Sequence, residues 1–138
     1  MLAHALGPHA DKAYAAMRMV VALMFSFHGM QKILHVLPEV PPPTFGTLVW
    51  FAGLIELGCG LLVFVGLFTR LAAFLASGEM AAAYFIGHAH WTFDAKFLPP
   101  LNGGELAVTY CFVFLFIACQ GSGRCALDRL CGRTASHA

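Results

Sequence analysis

Four long apolar runs, separated by short polar connections, dominate the hydrophobic pattern of the chain. They cover approximately residues 13–35, 45–68, 70–91 and 103–120. Each run is close to the ~20 residues that a helix needs to cross the ~30 Å hydrocarbon core of a bilayer. Since a helix satisfies its own backbone hydrogen bonds in lipid, the pattern predicts four transmembrane helices. Short connections make neighbouring helices antiparallel, so residues 1–138 are predicted to form one all-α, four-helix bundle.

The composition supports a membrane protein over a soluble one. Hydrophobic residues make up 59% of the chain and charged residues 11%, whereas ordinary globular domains have roughly 45–50% and about 25%. The formal net charge of +1 provides no basic surface for a phosphate backbone, which excludes nucleic-acid binding. The expected surroundings are therefore the lipid bilayer.

The basic residues are distributed unequally between the two sides of the predicted bundle. One side carries Lys12, Arg18, Arg70, Arg124, Arg129 and Arg133, and the other carries Lys32 and Lys96. By the positive-inside rule, both termini and the short C-terminal tail are predicted to lie in the cytoplasm. The N-terminus lacks the pattern of a cleaved signal peptide, so the first run is expected to remain in a multi-pass protein of the bacterial inner membrane.

Three carboxylates lie inside the apolar runs: Glu56, Glu79 and Glu105. A charged side chain at the centre of a membrane helix costs roughly 2.5–3.5 kcal/mol on insertion scales, so such residues indicate a functional site. At ~1.5 Å per residue, Glu56 and Glu79 fall near the midplane, and Glu105 falls within about one turn of the outer end.

Other polar residues lie at the same level of the predicted bundle. His28 and Lys32 are four residues apart and share one helix face, and His88 and His90 close the third run. The sequence therefore predicts a polar pocket open toward the outer side. The candidate catalytic residues are His28, Lys32, Glu56, Glu79 and Glu105.

Structural explanations for these residues stay open beside the functional one. Lys32, near a helix end, is also typical of a side chain that extends to the membrane interface. Glu56 and Glu79 also fit buried hydrogen bonds between helices, and His90 with Trp91 is typical of an interfacial position. Three cysteines inside the runs fit packing better than redox chemistry; they are Cys59, Cys111 and Cys119.

No metal site is predicted. A di-iron bundle uses Glu-x-x-His on two helices, a pattern that this chain lacks. A mononuclear site made by His28, His88 and a carboxylate, or a haem held by two histidines, stays open but has no support from the spacing. Because the chain has no dinucleotide fingerprint, CxxC pair or iron–sulfur spacing, electrons for redox chemistry would come from a partner protein or a bound cofactor.

Four segments carry a resemblance to a known family. They are FSFHGMQKIL (25–34), FAGLIELGCGLLVFVGLFTRLAA (51–73), NGGELA (102–107) and GSGRCALD (121–128). In this order they resemble the DoxX family of small bacterial four-helix membrane proteins. The family's signature positions map onto His28, Gly29, Lys32, Glu56, Arg70, Asn102, Glu105, Arg124 and Asp128.

The resemblance implies a role in membrane redox chemistry. Members look like subunits or partners of membrane oxidoreductases, including one linked to a thiosulfate:quinone oxidoreductase, and others are associated with quinone or redox stress. We therefore expect a quinone-interacting component of such an enzyme, with a redox partner protein. The expected cofactor-binding residues are His28, Lys32, Asn102 and His88.

A quinone head group needs a slot reachable from lipid, a donor such as His28 or Lys32, and carboxylates such as Glu56 or Glu105 that relay protons. A non-catalytic membrane anchor or assembly subunit is one alternative. A transporter of protons or a small molecule is another, disfavoured because the inner halves of the runs carry little buried charge. In the tail, Arg124 and Asp128 are predicted to form an i, i+4 pair on a short surface helix.

Overall fold

The structure is a computed structural model of the chain. It describes residues 6–36, 41, 43–91, 93–94 and 97–130. Lys96 and Arg133, two of the basic residues used to predict the orientation in the membrane, lie outside the described residues. Within the described ranges every regular element is helical, in agreement with the all-α prediction.

Six α-helices follow one another along the described chain. They are α1 Ala10–Leu34, α2 Leu48–Val65, α3 Thr69–Ala83, α4 Pro99–Asn102, α5 Glu105–Gln120 and α6 Leu127–Leu130. A 3-10 turn precedes α1, and a π-helical turn, Tyr84–His88, continues α3. In the part of the chain that the structure describes, Gly7–Leu34 and Leu48–Val65 are long and apolar enough to cross a membrane, and α5 is a shorter apolar helix.

The ends of α2 show why this helix is shorter than the apolar run that contains it. Thr47 accepts a hydrogen bond from the Trp50 amide at 3.3 Å and thereby caps the first turn. Gly66 ends the helix in the left-handed conformation, with φ of +72°, and its amide bonds to the carbonyl of Leu62. The run extends beyond both caps because apolar loop residues such as Phe68 continue its hydrophobic pattern.

The long helices pack in a closed arrangement. The main contacts are between α1 and α2, between α2 and α3, and between α3 and α5. Phe25 of α1 closes the arrangement, because its ring centroid lies 4.6 Å from that of Phe114 and 5.5 Å from that of Tyr110, both on α5. The bundle thus has an aromatic centre that joins its first and last long helices.

An apolar layer fills the middle of the bundle. Its members are fully buried: Ala22, Phe25, Val63, Phe114 and Ile117. The outer surface is apolar as well, with exposed side chains such as Leu54, Leu61, Phe74 and Phe112. Extensive exposed apolar surface marks a membrane-contacting face, which fits the lipid surroundings expected from the composition.

Candidate functional site

A buried ion pair joins α1 to α2 on one side of the apolar layer. Lys32 Nζ lies 2.6 Å from Glu56 Oε1, and the side chains are 28% and 3% exposed. A carboxylate this deep in an apolar bundle requires a partner because desolvation of an isolated charge is costly. The Lys32 ammonium supplies that partner, while part of its side chain stays accessible from the bundle surface.

Two glycines allow α1 and α2 to approach closely at this pair. A Cβ atom added to Gly29 would lie 2.7 Å from the Gly53 carbonyl oxygen, and one added to Gly53 would lie 2.7 Å from Lys32 Cβ. Real side chains do not tolerate such distances, so the close contact depends on glycine at both positions. The approach brings the Lys32 stem against α2 and places its ammonium beside Glu56.

Glu79 and Tyr110 complete the polar group from the other two long helices. The Glu79 carboxylate on α3 lies within electrostatic range of both Glu56 and Lys32. The Tyr110 phenol on α5 lies within the same range of Glu56. The His28 ring meets the Tyr110 ring edge-on, with centroids 6.2 Å apart. We call these five residues the central cluster, to which all four long helices contribute.

Three oxygens of the central cluster are buried without a hydrogen-bond partner among the described residues. They belong to different side chains: Glu56 Oε2, Glu79 Oε2 and Tyr110 Oη. Buried polar atoms in native proteins are nearly always hydrogen-bonded, so each exception calls for an explanation. Together the three oxygens indicate that the cluster can accept hydrogen bonds from, or exchange protons with, a further group.

Tyr110 is a member that the sequence reasoning missed. It occurs in an apolar run rich in phenylalanine, where an aromatic ring by itself indicates packing. The one available signal was its hydroxyl, because a buried tyrosine usually has a hydrogen-bond partner.

His88 and Asn102, predicted as cofactor-binding residues, lie in a separate polar group. His88 Nδ1 is 3.1 Å from the Asn102 backbone carbonyl, and Asn102 Oδ1 accepts from the Gly104 amide at 2.8 Å. The Tyr84 hydroxyl donates to the Phe97 carbonyl and lies 3.4 Å from Asn102 Nδ2. These bonds connect the π-helical turn to the loop around α4. The predicted cofactor-binding set therefore divides, with His28 and Lys32 in the central cluster.

Glu105 is the first residue of α5 and is exposed. It precedes Tyr110 by five residues, or roughly 7.5 Å along the helix axis. A carboxylate at a helix N-terminus interacts favourably with the helix dipole. This position gives Glu105 a structural explanation beside the predicted catalytic one.

Arg18 is the centre of a second polar group, at the opposite end of α1 from Lys32. Its side chain is fully buried. The guanidinium donates to the carbonyls of Val63, Phe64, Arg124 and Cys125, at 2.9 Å for Phe64 and 2.8 Å for Cys125. Arg18 thus connects the end of α2 to the tail through hydrogen bonds, and its charge is used to stabilise the fold.

Asp128 and Arg70 bind other helix ends at the same level. Asp128 accepts from the Phe68 amide at 2.8 Å, and from the amide and hydroxyl of Thr69 at 3.0 and 2.8 Å, which caps α3. Arg70 Nη1 donates to the carbonyls at the end of α5, at 3.0 and 2.6 Å. We call Arg18, Arg70 and Asp128, with the helix ends that they bind, the tail lock.

The predicted pair between Arg124 and Asp128 is wrong. α6 covers only Leu127–Leu130, so Arg124 precedes the helix and the i, i+4 geometry does not apply. Arg124 Nε instead lies 3.2 Å from Asp11 Oδ2, and both side chains are largely exposed. The Asp128 carboxylate instead accepts hydrogen bonds from the start of α3.

A metal site would need several donor side chains grouped together among the residues that the structure describes. Among them no three His, Cys, Asp or Glu side chains are arranged to hold a metal ion. Within the described ranges, four cysteines are free thiols: Cys59, Cys111, Cys119 and Cys125.

Comparison with known proteins places the chain in a family context. The model of the DoxX family matches residues 13–89. An uncharacterized protein of Haemophilus influenzae is 43% identical over 121 residues, covering 83% of this chain and 87% of that protein. An uncharacterized membrane protein of Mycobacterium tuberculosis is 27% identical over 149 residues, covering 98% and 89%. No solved structure matches the chain.

Proposed function

Because the chain belongs to the DoxX family of membrane proteins, we propose that it binds a quinone head group at the central cluster. In this proposal it is a multi-pass protein of the bacterial inner membrane. Its long helices form an antiparallel bundle of four spans, with both termini in the cytoplasm. It acts as a component of a membrane oxidoreductase and receives electrons from a redox partner protein.

The observation that carries the proposal is the combination of one ion pair with three unpartnered buried oxygens. Lys32 offers an ammonium donor that is partly accessible, and a quinone carbonyl is an acceptor that such a donor can bind. Glu56, Glu79 and Tyr110 offer oxygens that have no partner among the described residues. Those oxygens suit the hydroxyl groups that appear when a quinone becomes a hydroquinone.

The cluster also contains the groups that proton transfer requires. Conversion of a quinone to a hydroquinone takes two electrons and two protons, and each carbonyl oxygen gains one proton. Carboxyl groups within hydrogen-bond reach of those oxygens can deliver the protons. Glu56 and Glu79 fill this role as a relay: each carboxylate takes up one proton from water at the accessible side of the cluster and passes it to a carbonyl oxygen, so that both are ionised again afterwards. Lys32 orients the first carbonyl, and Tyr110 with His28 lines the second. The electrons come from the partner.

The test uses purified protein and a short-chain quinone analogue in its reduced hydroquinone form, whose hydroxyl groups donate to carboxylates. We expect wild-type protein to bind the analogue and Glu56→Gln to bind it at least about tenfold more weakly, since a charge-assisted contact is worth about 1.5–3 kcal/mol. Asp11→Asn, which neutralises an exposed carboxylate at the far end of α1, is the matched control and should bind normally. Absence of binding to the wild type, or equal binding by Glu56→Gln, would refute the proposal.

A non-catalytic anchor or assembly subunit is the second candidate. The tail lock favours it, because Arg18, Arg70 and Asp128 show that this chain also uses charged groups to hold its helix ends. In that case the buried acids stabilise helix contacts. Glu56→Gln would then reduce the activity of the complex only in proportion to the folded protein remaining in the membrane.

Transport through the bundle is disfavoured by the apolar layer. The fully buried side chains of Phe25, Val63 and Phe114 lie between the central cluster and the tail lock. Ser26 is a fully buried polar side chain at this level, and its hydroxyl already donates to the Ala22 carbonyl within α1. Flux into liposomes under a pH gradient is the measurement that would revive this candidate.

A further inference from the structure

A large cleft lies at the tail-lock end of the bundle, away from the central cluster. Its volume is about 870 Å³, and it is bounded by the starts of α1 and α3, the end of α5 and the tail. Its charged lining residues are Asp11, Arg70, Arg124, Asp128 and Arg129. Along α1 the lining of the cleft extends as far as Met17. Lys32 of the central cluster lies 15 residues further along the same helix, or roughly 22 Å away. The cleft and the central cluster are therefore separate sites.

Three arginines against two aspartates give the cleft a net positive charge, and both aspartates already have partners in the protein. Asp128 is bound to the start of α3 through three hydrogen bonds. Asp11 pairs with Arg124 through the Nε atom. Arg129 is exposed and has no ion pair with another described residue. The cleft therefore presents guanidinium groups to an incoming anion.

Arg70 is held in position before any ligand arrives. Its Nη1 atom is fixed by the carbonyls of Ala118 and Cys119. Gly121 has a φ of +87°, and a Cβ atom there would lie 3.1–3.2 Å from Nη2, Cζ and Nε of Arg70. The glycine thus lets the guanidinium lie against the backbone, and Nη2 and Nε remain as donors. A fixed, planar pair of donors matches two oxygens of a phosphate group.

One wall of the cleft is apolar. It includes Met17, Leu71 and Phe116, and the Phe116 ring packs edge-on against Tyr14 at 5.9 Å. An arginine-lined cleft with an apolar wall has two chemical requirements for its ligand, an anionic head and a hydrophobic body. Basic pockets between helix ends of membrane proteins bind the headgroups of acidic lipids in this way.

We propose that this cleft binds the phosphate of an acidic phospholipid headgroup, with Arg70 and Arg129 as the main donors and the apolar wall against the glycerol and upper acyl chain. Arg124 contributes a weaker contact because it is shared with Asp11. The site is independent of the central cluster and of quinone binding.

The test measures lipid binding to purified full-length protein in a neutral detergent. Phosphatidylglycerol should raise the unfolding temperature more than phosphatidylcholine does, since binding to the native state stabilises it. Arg129→Gln should weaken phosphatidylglycerol binding about fivefold, the loss expected for one interfacial arginine. Arg124→Gln combined with Arg129→Gln should weaken it further. Native mass spectrometry counts the bound lipid in each variant.

Lys12→Gln is the matched control, because Lys12 is an exposed cation at the same end of α1 that does not line the cleft. Its binding should equal that of the wild type. Inorganic phosphate should compete with the lipid only at much higher concentration. Stabilisation by phosphate but not by the lipid would overturn the lipid assignment. Equal stabilisation by both lipids, or equal loss in Lys12→Gln and Arg129→Gln, would overturn the site.

Discussion

The central cluster and the tail lock place charged side chains in the same bundle in opposite ways. In the tail lock, Arg18 donates to four backbone carbonyls, and Asp128 accepts three hydrogen bonds from the start of α3. In the central cluster, one ion pair connects Lys32 to Glu56, and three oxygens are left without partners. In the tail lock one buried atom, Arg18 Nε, lacks a partner among the described residues, so the fold uses most of the polar atoms of the tail lock and fewer of those in the central cluster.

The difference lies in what satisfies each charge. Helix ends carry free carbonyls and amides, so a buried charge placed there gains hydrogen bonds to the backbone. In the middle of a helix the amides are already bonded, and only a hydroxyl donor can share a carbonyl, as Ser26 and Ser77 do. A carboxylate there must accept from another side chain or from a ligand. The unpartnered oxygens of Glu56, Glu79 and Tyr110 lie within helices. This contrast separates charges that hold the fold from charges that remain available for chemistry.

Removal of Arg18 should have the largest effect on stability. Arg18→Ala deletes a fully buried guanidinium and leaves carbonyls from α2 and the tail unsatisfied, so unfolding should become easier by about 3–5 kcal/mol. Lys12→Ala on the same helix removes an exposed cation and should change stability by less than about 0.5 kcal/mol. Thermal unfolding in detergent measures both. Similar values for the two variants would show that the tail lock does not hold the fold.

A methyl group at Gly29 should have the next largest effect. Gly29→Ala places a Cβ atom 2.7 Å from the Gly53 carbonyl oxygen, and backbone atoms cannot move aside as a side chain can. We expect a loss of about 2–3 kcal/mol, together with weaker quinone binding, because α1 separates from α2 where Lys32 meets Glu56. The readouts are thermal unfolding and analogue affinity.

Gly58→Ala is the control for this substitution. Gly58 lies in the middle of α2, and an added Cβ atom meets nothing within 4 Å. The change should be neutral or stabilising by up to about 1 kcal/mol, through helix propensity alone. If Gly29→Ala behaved like Gly58→Ala, the close helix approach would not be what assembles the ion pair.

Sequence patterns predicted the all-helical fold and several members of the central cluster, for identifiable reasons. Helical periodicity and length depend on nearby residues, so the apolar runs indicate where the long helices lie. Glu56 and Glu79 were conspicuous because carboxylates are rare in such runs. His28 and Lys32 share a helix face at four-residue spacing. All of these signals are local in sequence.

The features that the sequence did not predict depend on distant contacts. The charge pattern predicts Arg18 at the membrane surface, but carbonyls about 106 residues away make it internal. The i, i+4 spacing predicts a pair between Asp128 and Arg124, although the observed partners of Asp128 are 59 and 60 residues away. In the sequence nothing distinguishes Tyr110 from the neighbouring aromatic residues, because only the arrangement of helices brings its phenol near Glu56.

Glu79→Gln should have the smallest effect on stability and the clearest effect on function. Glu79 Oε2 is buried without a partner in the described chain, and the carboxylate lies near another carboxylate, Glu56. Replacement by a neutral amide of similar shape relieves like-charge repulsion, so stability should stay within about 1 kcal/mol of the wild type or rise. Binding of the hydroquinone analogue should fall, since a neutral amide oxygen accepts a hydroxyl hydrogen bond less strongly than a carboxylate does.

Thermal unfolding and analogue affinity, measured on the same sample, show whether the tail lock serves stability and the central cluster serves ligand binding. Glu79→Gln must lose affinity while keeping stability, whereas Arg18→Ala loses stability. If Glu79→Gln instead unfolded as easily as Arg18→Ala, the carboxylate would be a structural partner, and the central cluster would be a second lock. Intact stability with intact affinity would limit quinone binding to Lys32, Glu56 and their nearest neighbours, since Glu79 would then serve neither role.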